Sequence, residues 1–270
     1  MELTRKRRLL ERRAELRMLR TDIDRHRKDM DFIQSISLIH PERNIKLNRA
    51  ELLIVLRKSS MDERRRLHGL AETLRRTHNV KIDYLQLNTN EFIGLLSSND
   101  VNPMKEMLSD EVCVFSPQAF WTEILDAQQK GLQIRFEGKE TDPRRISEQD
   151  LTYNLAQFGY REFGAAVAQA KEISKKLLAA SLLLKDNARR MEAVPVILAK
   201  GSTDWNLLIF LARKYKSAGK LLGLTKALHH IRPSKETGEA IENMQMMNVK
   251  EVKVDKKSIE DRLRLYNVIR

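Results

Sequence analysis

The chain contains a single cysteine, Cys113, so no disulfide can form within it. Cys113 lies in an apolar stretch, where a thiol behaves as a small core side chain rather than as a nucleophile or a metal ligand. A protein without disulfides fits a reducing compartment, and we therefore expect a cytoplasmic location.

Long apolar runs are also missing. No stretch approaches the roughly 20 residues that a helix needs to cross a bilayer, so we expect no membrane partner. The first residues are charged, and no apolar segment follows them, which argues against a secretory signal.

The familiar enzyme motifs are absent. The sequence has no Walker A loop, no G-x-G-x-x-G, no H-E-x-x-H, no G-x-S-x-G and no paired C-x-x-C. These absences exclude the most easily recognised nucleotide-binding, metalloprotease, hydrolase and zinc-finger classes, and no cofactor is expected from them. Aromatic residues make up only 6% of the chain, so Phe120 and Trp121 are predicted to be core residues rather than a base-stacking platform.

Positive charge is plentiful. The chain has 50 Lys and Arg against 37 Asp and Glu, a formal net charge of +13. An excess of this size favours an anionic partner, and we expect nucleic acid, RNA in particular, or a ribonucleoprotein. The alternative is a basic surface that is only solvated.

Residues 1–32 are predicted to form one long basic helix, because good helix formers dominate and no Gly or Pro interrupts them. Apolar residues recur every seven positions and form a narrow seam that could dock on one partner. That partner could be another protein or the chain's own C-terminal domain. The other faces could lie along a phosphate backbone. The seam comprises Leu9, Leu16, Ile23 and Met30, and the candidate phosphate-binding residues are Arg5, Lys6, Arg7, Arg8, Arg12, Arg13, Arg17 and Arg20.

Residues 33–143 are predicted to form a small α/β domain. FIQSISLI, ELLIVL, VKIDYLQL and EVCVF have the composition of strands, and EFIGLL and PMKEML that of short helices. A basic amphipathic helix is expected over 61–78, capped by Ser59 or Ser60. Arg64, Arg65 and Arg66 on its outer side are further candidate nucleic-acid contacts.

An acid interrupts the second of the long apolar strands. In VKIDYLQL, Asp83 shares a face with Leu85 and Leu87. A buried carboxylate is costly unless it is paired, hydrogen-bonded or bound to metal. Metal or phosphate chemistry is one explanation. A salt bridge to Lys81 or Arg57 is the other and the commoner one.

The remainder of the chain is predicted to be helical. A helix beginning at Ser116-Pro117, with Phe120, Trp121, Ile124 and Leu125 on its apolar side, should end at Gly131. An exposed linker follows it up to the boundary near residue 143. Residues 144–270 then read as a helical domain, with long helical runs over 165–184, 188–200 and 204–231, the last as one helix or two. The segment VKEVKV, residues 249–254, is a possible short strand.

The order of these elements resembles that of one known protein family. Strand, helix, strand with Asp83, short helices, strand and then Ser-Pro-x-x-Phe-Trp-x-x-Ile resembles the minimal nucleotidyltransferases of the DNA polymerase beta superfamily, over about residues 33–126. In that family an Asp-x-Asp precedes an apolar run, and a later strand carries a third acid. The resemblance places Arg49 and Glu51 at the first two positions and Asp83 at the third. The family's Gly-Ser turn has no counterpart in SLIHPERN.

The resemblance implies catalytic and Mg²⁺-binding roles for Glu51 and Asp83 if the chain is active. Two-metal phosphoryl transfer needs carboxylates around both ions, and a cation at the first acid's position would repel metal. We therefore expect a catalytically impaired, nucleotidyltransferase-like protein that binds nucleic acid. One alternative is an active Mg²⁺-dependent nucleotidyltransferase. The other is a non-catalytic scaffold for protein interactions through the N-terminal seam.

Overall fold

The computed structural model describes residues 21–23, 25–39, 49–78, 81–97, 112–115, 122, 125–131, 142–164, 170–185 and 187–270. The chain divides into two compact units. The first comprises residues 1–99 with 104–138, and the second comprises residues 100–103 with 139–270.

The first unit contains a four-stranded mixed sheet, as the strand patterns predict. Its strands are β1 (Ile33–Ile39), β2 (Arg49–Leu56), β3 (Lys81–Asn88) and β4 (Val112–Phe115). Their order across the sheet is β3-β2-β1-β4. Strand β1 runs antiparallel to both β2 and β4, whereas β2 and β3 are parallel. Most side chains of β1, β2 and β3 are buried, which explains their nearly continuous apolar sequences.

Helix α1 (Met61–His78) connects the two parallel strands, at the predicted position. A capping box starts it: the Glu63 N–H donates to Ser60 Oγ at 3.2 Å, and the Ser60 N–H donates to Glu63 Oε2 at 3.1 Å. The Tyr84 hydroxyl lies 3.5 Å from His68 Nδ1 of α1. Because side chains alternate along a strand, α1 covers the face of β3 opposite to Asp83. A short helix, α2 (Thr89–Ser97), follows β3.

The N-terminal segment leaves the α-helical conformation earlier than predicted. Residues 21–23 and 25 are helical, a 3-10 helix follows over Arg27–Met30, and residues 31–32 form a turn into β1. Ile23 and Met30 of the seam are 0% and 1% exposed. His78 Nε2 lies 2.8 Å from the Asp22 carboxylate. This end of the segment is therefore packed within the first unit, while residues 1–20 lie outside the described residues.

The second unit is helical, as predicted. A 3-10 turn over Pro143–Arg145 precedes its helices. They are α3 (Glu148–Gln157), α4 (Lys175–Leu184), α5 (Ala188–Ala199), α6 (Trp205–Lys214), α7 (Ala218–Ile231), α8 (Lys235–Met246) and α9 (Lys256–Leu265). In the described part of the chain, no helix is both long and apolar enough to cross a membrane.

Local capping decides where several of these helices begin. The run predicted over 165–184 is helical only from Lys175, because the Ser174 side chain caps α4, and residues 170–174 are not helical. The run over 204–231 is two helices, and Asp204 caps the first of them. Near the end of the first unit, Gly131 has the positive φ of 82° expected of a helix-ending residue. Leu125 is 55% exposed, although it was expected on the apolar side of that helix.

The possible strand VKEVKV is instead an extended segment that lies along α7, and we call residues 249–254 the strap. The Val252 N–H donates to the carbonyl of Gly219 at 3.0 Å. A Cβ at Gly219 would lie 2.4 Å from the Lys250 carbonyl oxygen, and one at Gly223 would lie 2.0 Å from that of Val252. Only glycine at these two positions lets the strap backbone approach the helix this closely.

Candidate functional site

The two acids singled out by the sequence are neighbours in the sheet. Glu51 of β2 and Asp83 of β3 are register partners in the parallel pair, two residues after the pair of Arg49 and Lys81. Aligned residues of neighbouring strands point to the same face. Glu51 is 4% exposed and Asp83 is 0% exposed. The sheet therefore brings the two carboxylates together in the interior.

A lysine accompanies the buried pair. Lys81 Nζ lies 3.1 Å from Asp83 Oδ2, and the Lys81 side chain remains 53% exposed. This contact confirms the salt bridge predicted between Lys81 and Asp83. Arg57, the other predicted partner, is exposed after the end of β2. The ammonium group offsets part of the cost of burying a carboxylate, and its lysine stem reaches the acid from the solvent side.

The chemical capacity of this site is limited. Two carboxylates can coordinate one divalent cation, whereas two-metal phosphoryl transfer requires more acidic ligands. Within the described ranges, no three His, Cys, Asp or Glu residues are close enough to hold a metal ion together. The backbone position that pairs with Lys81, where the nucleotidyltransferase pattern has its first acid, is Arg49.

The arginines predicted on α1 have different environments. Arg66 donates to Asp31 Oδ1 at 2.6 Å and to the Asp29 carbonyl at 2.9 Å, and it lies over the Phe32 ring at 4.3 Å. Its hydrogen bond lowers the pKa of Asp31. Arg66 therefore fastens the segment before β1 to α1. Arg64 donates to Ser59 Oγ at 3.4 Å.

Arg65 and Arg66 of the predicted trio are exposed, and Arg64 is half-buried. Near the end of α1, Arg75 and Arg76 both contact Glu72, at 2.6 and 3.0 Å. The hydrogen bond from Arg75 is the main cause that lowers the pKa of Glu72 to about 2. Arg66, Arg75 and Arg76 of α1 are therefore paired with acids of the first unit itself. The predicted phosphate-binding residues of the N-terminal helix, from Arg5 to Arg20, lie outside the described residues.

The net charge is unequally divided between the two halves of the chain, because the second half has fewer acids. Residues 1–138 contain 25 Lys and Arg against 21 Asp and Glu, whereas residues 139–270 contain 25 against 16. Local clusters of cations do not reveal this asymmetry, because basic clusters occur in both halves of the chain. Counting charge domain by domain would have found it.

Several cations of the second unit bind carbonyl or carboxylate groups of the same unit. Lys175 Nζ donates to the carbonyls of Lys200, Gly201 and Ser202 at 2.8, 2.9 and 3.2 Å. Burial lowers the pKa of Lys175 to about 8. Arg262 binds Glu192 at 2.9 Å and also contacts Glu162, which ties α9 to α5 and to the segment after α3.

Other cations of this unit face solvent. Lys250 and Lys253 of the strap and Lys256 and Lys257 at the start of α9 are all exposed. Glu251, between the first two, is paired with Lys226 of α7 at 2.5 Å. The strap and the beginning of α9 thus present four exposed lysines, two of them on a strap whose backbone is held against α7.

Comparison of the chain with protein-family models, with characterised proteins and with solved structures returned no match. Its function is therefore argued from the carboxylate pair and from the distribution of charge.

Proposed function

We propose that this protein binds nucleic acid, RNA in particular, on a nucleotidyltransferase-like scaffold that is catalytically impaired. The observation that carries the proposal is the charge of residues 139–270, where 25 Lys and Arg stand against 16 Asp and Glu. A cationic domain neutralises phosphates and releases their counterions, so its affinity for nucleic acid falls steeply with salt.

The environment of the carboxylates supports the impaired state. Asp83 is fully buried beside Lys81, and Glu51 is 4% exposed. A catalytic carboxylate must reach a metal that also contacts the substrate. In this structure the two acids instead belong to the interior of the sheet, and Arg49 stands where the family pattern places the first acid.

The second candidate is an active Mg²⁺-dependent nucleotidyltransferase. The register of Glu51 with Asp83 favours it, because the family pattern likewise uses acids on neighbouring strands. In that case the two carboxylates would hold one Mg²⁺, whose chemistry would be the stabilisation of charge on a transferring phosphoryl group.

The third candidate is a scaffold whose N-terminal seam binds a protein partner. Ile23 and Met30 of that seam are buried within the first unit, so only Leu9 and Leu16, outside the described residues, are left to carry it. Loss of a partner with Leu16→Asp, but not with charge reversal of Arg12 and Arg13, would support this candidate over the first.

One experiment separates binding from catalysis. Purified protein is incubated with Mg²⁺ or Mn²⁺, labelled nucleoside triphosphates and a mixed pool of RNA and protein acceptors, beside Asp83→Asn and Glu51→Gln. In parallel, RNA binding is titrated from 50 to 200 mM salt. We expect no label transfer and an RNA affinity that falls at least tenfold over this range in all three proteins. Transfer by the unsubstituted chain, abolished in either variant, would establish the enzyme instead.

A further inference from the structure

The strap is held in one place by three independent contacts. Gly219 and Gly223 admit its backbone against α7, and the Val252 N–H donates to the Gly219 carbonyl at 3.0 Å. The ion pair of Glu251 with Lys226, at 2.5 Å, fixes its outer side. An extended segment without sheet partners is normally mobile, but this one has a defined position on the helix.

Both ends of the strap are also fixed. At its start, Asn248 has a positive φ of 55°, and the Val249 N–H donates to the Met244 carbonyl of α8 at 3.1 Å. At its far end, the Asp255 side chain accepts from the Lys257 N–H at 3.0 Å and starts α9. The strap lysines therefore project from a backbone that is anchored along its whole length.

The exposed side chains of this region carry mainly one charge. Lys250, Lys253, Lys256 and Lys257 are exposed. Of the two acids between them, Glu251 is paired with Lys226, whereas Asp255 caps α9 and keeps its negative charge. An extended chain rises about 3.3 Å per residue, so Lys250 and Lys253 are roughly 10 Å apart. Side chains three residues apart leave an extended chain on opposite sides, so the long lysine stems of Lys250 and Lys253 must bend to reach one phosphate backbone. Duplex nucleic acid carries one negative charge per about 1.7 Å of its axis, so a span of this length faces several phosphates.

We infer that these four lysines form a phosphate-binding surface of the second unit, which we call the strap surface. This inference rests on the proposed binding of nucleic acid and gives that binding a location. Lysines act as point charges, and residues 249–257 include no aromatic side chain and no arginine that could read a base. The strap surface therefore contacts the backbone of RNA without regard to its sequence.

The test uses the full chain and two sets of four substitutions. In the strap variant, Lys250, Lys253, Lys256 and Lys257 are changed to Gln. In the control variant, four exposed cations elsewhere in the second unit are changed to Gln, so that the net charge falls by the same amount. The control positions are Arg145, Arg161, Lys171 and Arg189.

Binding of a fluorescent 20-nucleotide oligouridylate and of a 20-base-pair RNA duplex is measured by anisotropy between 50 and 200 mM salt. Each lysine that contacts a phosphate contributes about 1 to the slope of log affinity against log salt. We expect the slope of the strap variant to fall by about 3 to 4 units for both probes, and its affinity at 50 mM salt to drop at least tenfold. The control variant should keep its slope within about 1 unit.

The outcomes distinguish this inference from the proposed function. Equal losses in the two variants, or an unchanged slope in the strap variant, would overturn the strap surface while leaving RNA binding in place. Absence of RNA binding by the unsubstituted chain would overturn both. Should the strap variant fail to fold by circular dichroism, the pair K250Q/K253Q gives the same decision, with an expected slope change of about 2 units.

Discussion

Lys81 and Asp83 are two residues apart on β3 and on the same face, and the lysine ammonium group lies 3.1 Å from the buried carboxylate. Glu51 occupies the matching position on the neighbouring strand. The Lys81 side chain is 53% exposed, so it contacts both solvent and the buried Asp83 carboxylate. The ammonium group stabilises the Asp83 carboxylate, and Glu51 lies on the adjacent strand, whose backbone is about 4.8 Å away.

This contact predicts a coupling between the two residues of β3. Lys81→Met removes the cation beside a buried carboxylate and should lower the free energy of unfolding by about 1.5 to 3 kcal/mol. The double variant K81M/D83N should recover at least half of that loss, because no charge is left to compensate. Chemical unfolding monitored by circular dichroism measures the three variants of the cycle.

The outcome that contradicts a structural ion pair is additivity. If the effects of Lys81→Met and Asp83→Asn simply sum, the two side chains are not coupled. Lys58→Met is the control, because Lys58 is an exposed lysine of the same unit whose contact with Glu63 is made by its backbone N–H and not by its side chain. It should change stability by less than about 0.5 kcal/mol.

The contact between the strap and α7 predicts opposite effects of the same substitution at two glycines. Gly223→Ala places a methyl group 2.0 Å from the Val252 carbonyl oxygen, so the backbone must move. We expect a loss of about 1 to 3 kcal/mol. Gly238→Ala, inside α8, places its methyl group 3.4 Å from His229, and no other described residue outside α8 lies within 4 Å of it. We expect a gain of about 0.5 kcal/mol there, because Ala is the better helix former.

Thermal unfolding of the two glycine variants, followed by circular dichroism at 222 nm, tests whether their stabilities change in opposite directions. A Gly223→Ala protein as stable as Gly238→Ala would show that the strap does not press against the helix. Because both glycines belong to helices of the second unit, the comparison does not depend on the stability of the first.

The hydrogen bonds of Lys175 to three carbonyls, which we call the carbonyl cradle, predict a loss of stability when the lysine is replaced. Three carbonyls after α5 accept from the Lys175 ammonium group. In Lys175→Met they lose this donor, and we expect a loss of about 1.5 kcal/mol near pH 7. Lys235→Met is the control, because the Lys235 side chain is 90% exposed, 3.8 Å from Glu239. An unchanged Lys175→Met protein would show that the cradle is satisfied by water.

The same lysine predicts a pH dependence. Burial lowers the pKa of Lys175 to about 8, from 10.5 in an unfolded chain. Between these values the unfolded chain binds more protons than the folded one, so the free energy of unfolding rises with pH over this window. The rise should appear as a difference between the unsubstituted protein and Lys175→Met, measured from pH 7 to 10. A flat difference would contradict the lowered pKa.

The sequence predicted those elements whose signals are local. Helix α1 was predicted over 61–78 with Ser59 or Ser60 as its cap, and the structure has it over Met61–His78 with Ser60 as the cap. The strand around Asp83 and its partner Lys81 were predicted from alternation and from the cost of burying an acid. These features depend on residues within a few positions of each other.

The sequence could not predict what depends on distant contacts. The strap has a strand-like composition, yet its hydrogen bond goes to a helix, and only the approach to Gly219 and Gly223 explains its conformation. Arg66 resembled a surface cation, but the turn before β1 places Asp31 within its reach. The register of Glu51 with Asp83 follows from the parallel pairing of β2 with β3.

The position of β4 has a consequence for the synthesis of this chain. Strand β4 pairs with β1 through Leu38 and Val112, so it lies at the opposite edge of the sheet from β3. A nascent chain that has left the ribosome only as far as Ser97 possesses three strands and an open edge at β1. Unpaired strand edges invite association with other chains, so the edge of β1 is open to such pairing until β4 covers it.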